Sequence, residues 1–154
     1  GRPAQLYLEE VIRDAFAVFE DDIRKLGVKV TVPRSQTLVR VDPAEMQEVI
    51  INLLHNSLYW LEQVSESKRE VAVKVERKGP DHVDILFSDS GPGVLDENRE
   101  LIFEPYFSTK PDGVGLGLAI VGEIVTDYYN GSLDLLDRGP LKGANFLITL
   151  RKRV

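Results

Sequence analysis

Two glycine-containing segments restrict the fold of this chain more than any other feature. A strand of alternating hydrophobic residues over positions 83–87 leads into Asp89, and Gly91 and Gly93 follow it closely. Residues 113–117 then place three glycines at alternate positions immediately before an apolar helix. A carboxylate can accept a hydrogen bond from a base amino group, and glycine lets backbone N–H groups close on phosphates at a helix N-terminus. Together the two segments predict a nucleotide site between a sheet and helices.

Composition excludes several other classes of protein. A length of 154 residues suits one domain with a real core, and a hydrophobic content of 43% is ordinary for a globular domain. The formal charge of −6 argues against a general nucleic-acid or membrane-surface binder, while leaving room for a local basic patch. The chain has no cysteine and only two histidines, so disulfides, thiolate metal sites and a histidine-rich metal centre are not expected.

Hydrophobic periodicity predicts an α+β fold. Three helices are expected, over residues 8–26, 43–63 and 116–129. Six strands are expected as three hairpins, over residues 28–32 with 37–41, 71–76 with 82–88, and 132–137 with 144–151. Residues 89–115 form a long irregular segment with a short helical piece near 97–103, and such loops are usually functional or mobile. This order predicts a two-layer sandwich, with a mixed, mostly antiparallel sheet and three main helices on one face.

The second predicted helix carries a polar stripe opposite its apolar face. Asn52 and Asn56 lie four residues apart and therefore share a face, and Glu48 and Tyr59 fall on the same stripe. Taken alone, such a stripe is most often a solvated surface.

Four blocks of sequence, taken in order, resemble a known family. Residues 52–57, 89–93, 102–107 and 113–121 are similar to the N, G1, F and G2 boxes of the catalytic ATP-binding domain of bacterial sensor histidine kinases. These domains belong to the GHKL superfamily, which has the Bergerat ATP-binding fold and includes gyrase and MutL. The resemblance covers about residues 6–151. It implies that the whole chain is a single ATP-binding catalytic domain, a C-terminal fragment of a longer kinase.

The resemblance implies a role for each matching residue around the base and the metal. Asp89 would accept the adenine amino group, although a carboxylate here could also merely cap the following turn. Gly91 and Gly93 would let the base approach the backbone. Asn56 would offer its amide oxygen to Mg²⁺, a cation that needs only one or two protein oxygens when it also bridges phosphates.

The resemblance also implies a phosphate-binding lid over residues 108–114. Phe103 and Phe107 would anchor the two ends of the F box. Lys110 could reach the β- and γ-phosphates, and a solvated lid charge is an equally good interpretation. The residues that would wrap the triphosphate are Gly113, Val114, Gly115, Leu116, Gly117 and Leu118.

The sequence departs from the family pattern just after the expected Mg²⁺ ligand. Histidine kinases usually carry a lysine three residues after that asparagine, followed by an aromatic residue, and here these positions are Tyr59 and Trp60. Tyr59 can donate a hydrogen bond to a phosphate but brings no charge, and Trp60 can line the adenine pocket or be buried. The missing positive charge would then come from Lys110, Mg²⁺ or a partner domain.

The identity of residue 52 favours phosphoryl transfer over hydrolysis. The superfamily's ATPases place a glutamate at the position of Asn52, and an amide cannot act as a general base. Glu48 lies one turn further away. We therefore expect Asn52, Asn56 and Lys110 to serve transfer from Mg-ATP to a histidine on a separate helical phosphoacceptor domain, with a response regulator downstream.

Other functions stay open from the sequence alone. The alternatives are an ATP-gated conformational module like gyrase or MutL, a serine-kinase relative, and a pseudokinase that binds no nucleotide. We expect no nucleic-acid partner, a monomeric isolated domain and a cytoplasmic location, with a membrane anchor in the parent protein left open.

Overall fold

The computed structural model describes residues 2–108 and 117–152. The helices in these ranges are α1 (Leu8–Val18), α2 (Glu20–Leu26), α3 (Pro43–Leu61) and α4 (Gly117–Glu123). The strands are β1 (Ala4–Tyr7), β2 (Lys29–Thr31), β3 (Leu38–Val41), β4 (Glu70–Gly79), β5 (His82–Asp89), β6 (Ser132–Leu135) and β7 (Asn145–Leu150).

A five-stranded sheet with the order β2-β4-β5-β7-β6 forms one layer of the fold. The β2–β4 pair is parallel, and the remaining neighbours are antiparallel. Val73, Phe87 and Phe146 lie opposite one another on three adjacent strands, so they share one face of the sheet. These residues belong to the same buried core as the apolar residues of α1, α3 and α4. The expected mixed, mostly antiparallel α+β sandwich is confirmed.

The first predicted hairpin is wrong. β3 pairs antiparallel with β1, a strand that was not predicted from the sequence, and β2 instead lies at the edge of the main sheet beside β4. The reason lies in the loop between β2 and β3. The buried Glu9 carboxylate accepts hydrogen bonds from the Ser35 hydroxyl at 2.8 Å and from the backbone N–H and hydroxyl of Thr37, both at 2.7 Å. These bonds tie the loop to the start of α1 and direct β3 away from β2.

The first predicted helix is divided at Phe19, whose backbone (φ −104°, ψ 17°) departs from helical geometry. The predicted stop at Gly27 is confirmed, because this residue adopts a left-handed conformation with φ 66°. The start of α3 is also as predicted, since the Asp42 side chain caps the helix by accepting from Ala44 N at 2.9 Å and Pro43 follows it directly.

The last predicted helix continues beyond α4 as a π-helical segment, Ile124–Tyr128. Tyr129 follows this segment as its C-cap. Its hydroxyl accepts a hydrogen bond from Asp42 N at 2.9 Å and donates one to the Glu45 carboxylate at 2.8 Å. These contacts fix the end of the π-helical segment against the start of α3.

Candidate nucleotide-binding site

The centre of the candidate site is the carboxylate of Asp89, the last residue of β5. The residue is only 2% exposed and lies on the sheet face that packs against the helices. Its Oδ2 accepts a hydrogen bond from the Ser57 hydroxyl at 2.6 Å. Its Oδ1 accepts from the backbone N–H groups of Gly91 at 2.9 Å and Ala144 at 3.2 Å. The carboxylate is therefore held by one side chain from α3 and by two backbone turns.

Burial raises the pKa of Asp89 above its usual value, although the hydrogen bonds from Ser57, Gly91 and Ala144 oppose this rise. Across the two described ranges, no lysine, arginine or histidine forms an ion pair with this carboxylate. A buried carboxylate without a counter-charge is costly, and such groups are characteristic of functional sites.

Glycines allow the backbone to approach this carboxylate closely. A Cβ atom on Gly91 would lie 3.0 Å from Asp89 Oδ1 and 3.5 Å from Trp60 Cβ, so Trp60 is adjacent to the expected base-binding turn. Gly93 has φ 80°, a conformation that other residues rarely adopt. The structure thus brings together Asp89, Gly91 and Trp60, three of the predicted site residues.

Two further residues of this centre, Gly143 and Ser57, were not predicted from the sequence as functional residues. Gly143 donates its N–H to Asp89 O at 2.9 Å, and a Cβ atom on Gly143 would collide with Asp89 and approach Gly91 N to 2.6 Å. Ser57 is fully buried on the apolar stripe of α3. A hydroxyl on an otherwise apolar stripe is the signal by which the sequence could have revealed it.

The polar stripe of α3 lies beside the start of α4. Asn52 Nδ2 donates to Glu48 O at 2.8 Å, and Asn52 Oδ1 lies 3.4 Å from the position that a Cβ atom on Gly117 would occupy. Asn56 is half-buried, and its amide makes no hydrogen bond to another residue of the described ranges. Its oxygen is therefore available to a ligand.

Several predicted site residues are aromatic. The rings of Tyr59 and Trp60 meet edge to face, with centroids 5.0 Å apart. Phe103, the predicted anchor at the start of the F box, packs edge to face on Phe146 of the core, with ring centroids 6.3 Å apart. Phe107 is half-buried, and its N–H donates to Glu104 O at 3.3 Å.

Part of the predicted phosphate-binding segment lies outside the described residues. This applies to Lys110, Gly113, Val114, Gly115 and Leu116. Gly117 begins α4, and Leu118 packs half-buried against the core.

The described residues contain no cluster of three or more acidic or histidine side chains that could hold a metal ion by themselves. Asn56 fits the different requirement of a Mg²⁺ ion that takes most of its oxygens from phosphates and water. Within the same ranges, no helix has the length and apolar character needed to cross a membrane.

Comparison with known proteins agrees with this geometry. Residues 41–154 match the family described as histidine kinase-, DNA gyrase B- and HSP90-like ATPase. The sensor histidine kinase ZraS of Klebsiella oxytoca is 34% identical over 156 residues, which cover 97% of this chain but 32% of ZraS. The chain thus spans about a third of the length of this relative.

Solved structures show the same architecture. The nucleotide-free catalytic domain of the histidine kinase ThkA superposes with a TM-score of 0.83 at 27% identity, covering 99% of this chain and 97% of that domain. ThkA in complex with the response regulator TrrA gives a TM-score of 0.74 at 26% identity, covering 97% of this chain and 42% of that chain. The chain therefore belongs to the family of histidine kinase-, DNA gyrase B- and HSP90-like ATPases, and its resemblance to the catalytic domains of sensor histidine kinases is confirmed.

Proposed function

We propose that this domain binds Mg-ATP and donates the γ-phosphoryl group to a histidine on a separate helical phosphoacceptor domain. Membership of the ATPase family supports the use of ATP, and the likeness to sensor histidine kinases supports transfer to histidine. The match to about a third of ZraS supports a parent protein with further domains. The single observation that carries the proposal is the buried Asp89 carboxylate, held between α3 and two glycine turns with no cation beside it in the described ranges.

Asp89 has the chemistry needed to select a purine amino group. The ionised carboxylate only accepts hydrogen bonds, so it matches the amino group of adenine and offers nothing to a carbonyl oxygen at that position. Its burial removes competing water, and Gly91 places no side chain between it and Trp60. Discrimination of this kind is strong because a mismatched base would leave a buried polar group unpaired.

Mg²⁺ bound together with ATP would neutralise charge on the phosphates. Asn56 is the residue placed to hold it, because its half-buried amide oxygen is not engaged by the described residues. Tyr59 stands where the family usually has lysine, so we propose that Lys110 contributes positive charge at the phosphates.

The surroundings of Asn52 favour transfer over hydrolysis. Its amide donates to Glu48 O and lies against Gly117, and an amide cannot remove a proton from water. Glu48 is exposed one turn away on the same helix. A neutral imidazole from another domain is already a nucleophile, so its attack on the γ-phosphate needs no general base. This domain then has to position the reactants and neutralise charge.

The partners follow from this chemistry. The phosphoacceptor domain belongs to the same or an associated protein, and the phosphoryl group passes on to a response regulator, the class of partner seen with ThkA. The isolated domain is expected to be a monomer. We place the domain on the cytoplasmic side, where ATP is available, with or without a membrane anchor in the parent protein.

Calorimetry with ADP and ATP, with and without Mg²⁺, tests the site. Asp89→Asn keeps the size of the side chain but adds a donor where an acceptor is needed, so nucleotide binding should be lost while the fold is retained. Asp84→Asn is the matched control, because Asp84 lies on the same strand and contacts His82 and Thr149 instead. Equal ADP affinity in parent and Asp89→Asn would refute the assignment.

Two further measurements test the metal and the reaction. Asn56→Ala should remove the part of ATP affinity that depends on Mg²⁺. The isolated domain should neither phosphorylate itself nor hydrolyse ATP appreciably, and labelled phosphate should appear only when a histidine-containing helical domain is added. Substantial steady-state hydrolysis by the isolated domain would favour an ATP-gated conformational module instead.

A further inference from the structure

Ser57 provides the contact between Asp89 and the helix layer. Its side chain is fully buried, and its hydroxyl donates to Asp89 Oδ2 at 2.6 Å. This is the distance expected for a hydroxyl that donates to an ionised carboxylate, and such bonds are stronger than neutral ones. Ser57 directly follows Asn56 on α3.

The groups facing Asp89 come from three parts of the fold. Helix α3 contributes the Ser57 hydroxyl, the turn after β5 contributes Gly91 N, and the turn before β7 contributes Ala144 N. Among the residues described, none of these elements places a charged or titratable side chain against the carboxyl group. The protonation state of Asp89 therefore depends on its burial and on these three hydrogen bonds. The two amides are fixed by the backbone, so the hydroxyl is the one donor that a side-chain substitution can remove.

We infer that Ser57 is a positioning residue for nucleotide recognition, whose hydroxyl keeps Asp89 ionised and oriented to accept the amino group of the base. This inference rests on the proposed function and adds a residue that acts through Asp89 rather than on the nucleotide itself. The hydroxyl fixes one carboxylate oxygen, while Gly91 and Ala144 fix the other. The plane of the carboxylate is thereby set before a nucleotide arrives.

Removal of the Ser57 hydroxyl should shift the pKa of Asp89 in a known direction. Burial already raises the pKa of Asp89, and the bond from Ser57 opposes that rise. Ser57→Ala therefore raises this pKa further. A protonated carboxyl group is a poor acceptor for a base amino group, so nucleotide affinity in the variant should begin to fall at a higher pH than in the parent.

The experiment measures the dissociation constant of ADP without Mg²⁺ between about pH 5 and pH 8. The quantity of interest is the ratio of the variant's dissociation constant to the parent's at each pH, because titration of the nucleotide's own phosphates cancels in it. For Ser57→Ala we expect a ratio of roughly ten near neutral pH, from the loss of a charge-assisted bond. The ratio should grow as the pH is lowered, by up to about tenfold for each unit that separates the two pKa values.

Ser88→Ala is the matched control. Ser88 precedes Asp89 on β5, is fully buried, and faces the opposite side of the sheet. Its hydroxyl has no hydrogen-bond partner among the residues described. The same substitution there should leave ADP affinity and its pH dependence unchanged. Ser57→Thr retains the hydroxyl and should keep the parent's pH profile, even where the added methyl group lowers stability.

The outcomes separate this inference from the proposed function. If the parent binds ADP and Asp89→Asn does not, a ratio near one at every pH for Ser57→Ala would overturn the positioning role alone. A ratio that is raised but does not change with pH, or an equal effect of Ser88→Ala, would also overturn it. If Asp89→Asn binds ADP as well as the parent does, the nucleotide site itself is wrongly assigned.

Discussion

Gly143 offers a sharp test of how closely the backbone packs around the candidate site. In Gly143→Ala the new methyl group would collide with the Asp89 carboxylate and lie 2.5 Å from Asp89 O and 2.6 Å from Gly91 N. Two of these contacts are with backbone atoms, so a change of rotamer cannot relieve them. The turn must move, which weakens the hydrogen bonds from Gly143 N to Asp89 O and from Ala144 N to Asp89 Oδ1.

The expected magnitude follows from these two effects. Overpacking of a well-packed region costs about 1–3 kcal/mol. Loss of a hydrogen bond to a charged group costs about 1.5–3 kcal/mol. Because the same small movement gives rise to both effects, we expect the free energy of unfolding to fall by about 3 kcal/mol rather than by their full sum. For a domain of this size, that corresponds to a melting temperature about 6–12 °C lower. ADP affinity should fall as well, since Asp89 is displaced.

Urea denaturation followed by circular dichroism measures this loss, with the slope of the transition checked for constancy. Gly79→Ala is the control, because a Cβ atom on Gly79 would have no neighbour within 4 Å and this glycine has no positive φ. The control should change stability by less than about 0.5 kcal/mol. An unchanged urea midpoint and unchanged ADP affinity in Gly143→Ala would show that the turn is not tightly packed on Asp89.

Three further predictions concern stability, each checked by urea denaturation. Gly122→Ala should stabilise α4 by about 0.5–1 kcal/mol, because a Cβ atom there meets nothing within 4 Å; a loss would contradict this. Tyr129→Phe should cost about 1–3 kcal/mol by leaving Asp42 N and Glu45 without their hydroxyl partner, and no change would show the network to be dispensable. Burial raises the pKa of Glu9, but its hydrogen bonds from the loop before β3 lower it by more. Its stabilising contribution is therefore full above the unfolded pKa of about 4.3 and lost as pH falls through the lower folded pKa. Glu9→Gln should thus lose less stability than the parent on acidification, and parallel losses would argue against this contribution.

Local signals in the sequence were sufficient for much of the fold. The β4–β5 hairpin, the cap formed by Asp42 with Pro43 and the helix stop at Gly27 depend on residues close together in the chain. The partners of β2 and β3 depend on distant residues, and the Glu9 contacts that separate these strands cross from α1 to a loop. Alternation of hydrophobic residues identifies a strand but does not identify its neighbour.

The candidate site also combines residues that the local sequence identifies with residues that depend on distant contacts. Asp89, Gly91 and Trp60 could be named from the sequence because they match positions of the family pattern, and in the structure they lie close together. Ser57 and Gly143 act only through the approach of α3 and a turn before β7 to the end of β5. The residues next to them in the chain do not indicate these contacts. The one local signal is the position of Ser57, a polar residue on the apolar stripe of α3.

The parallel pairing of β2 with β4 has a consequence for how the chain folds. The β4–β5 hairpin can close early, because its strands are joined by a short turn. In the β2–β4 pair, Lys29 lies opposite Glu70, and the chain between them contains β3 and α3. Pairing of β2 with β4 therefore requires the closure of a long loop. We therefore expect β2 to join the sheet late in folding. Because β2 is a three-residue strand at the edge of the sheet, its amide hydrogens should also exchange faster than those of the central strands.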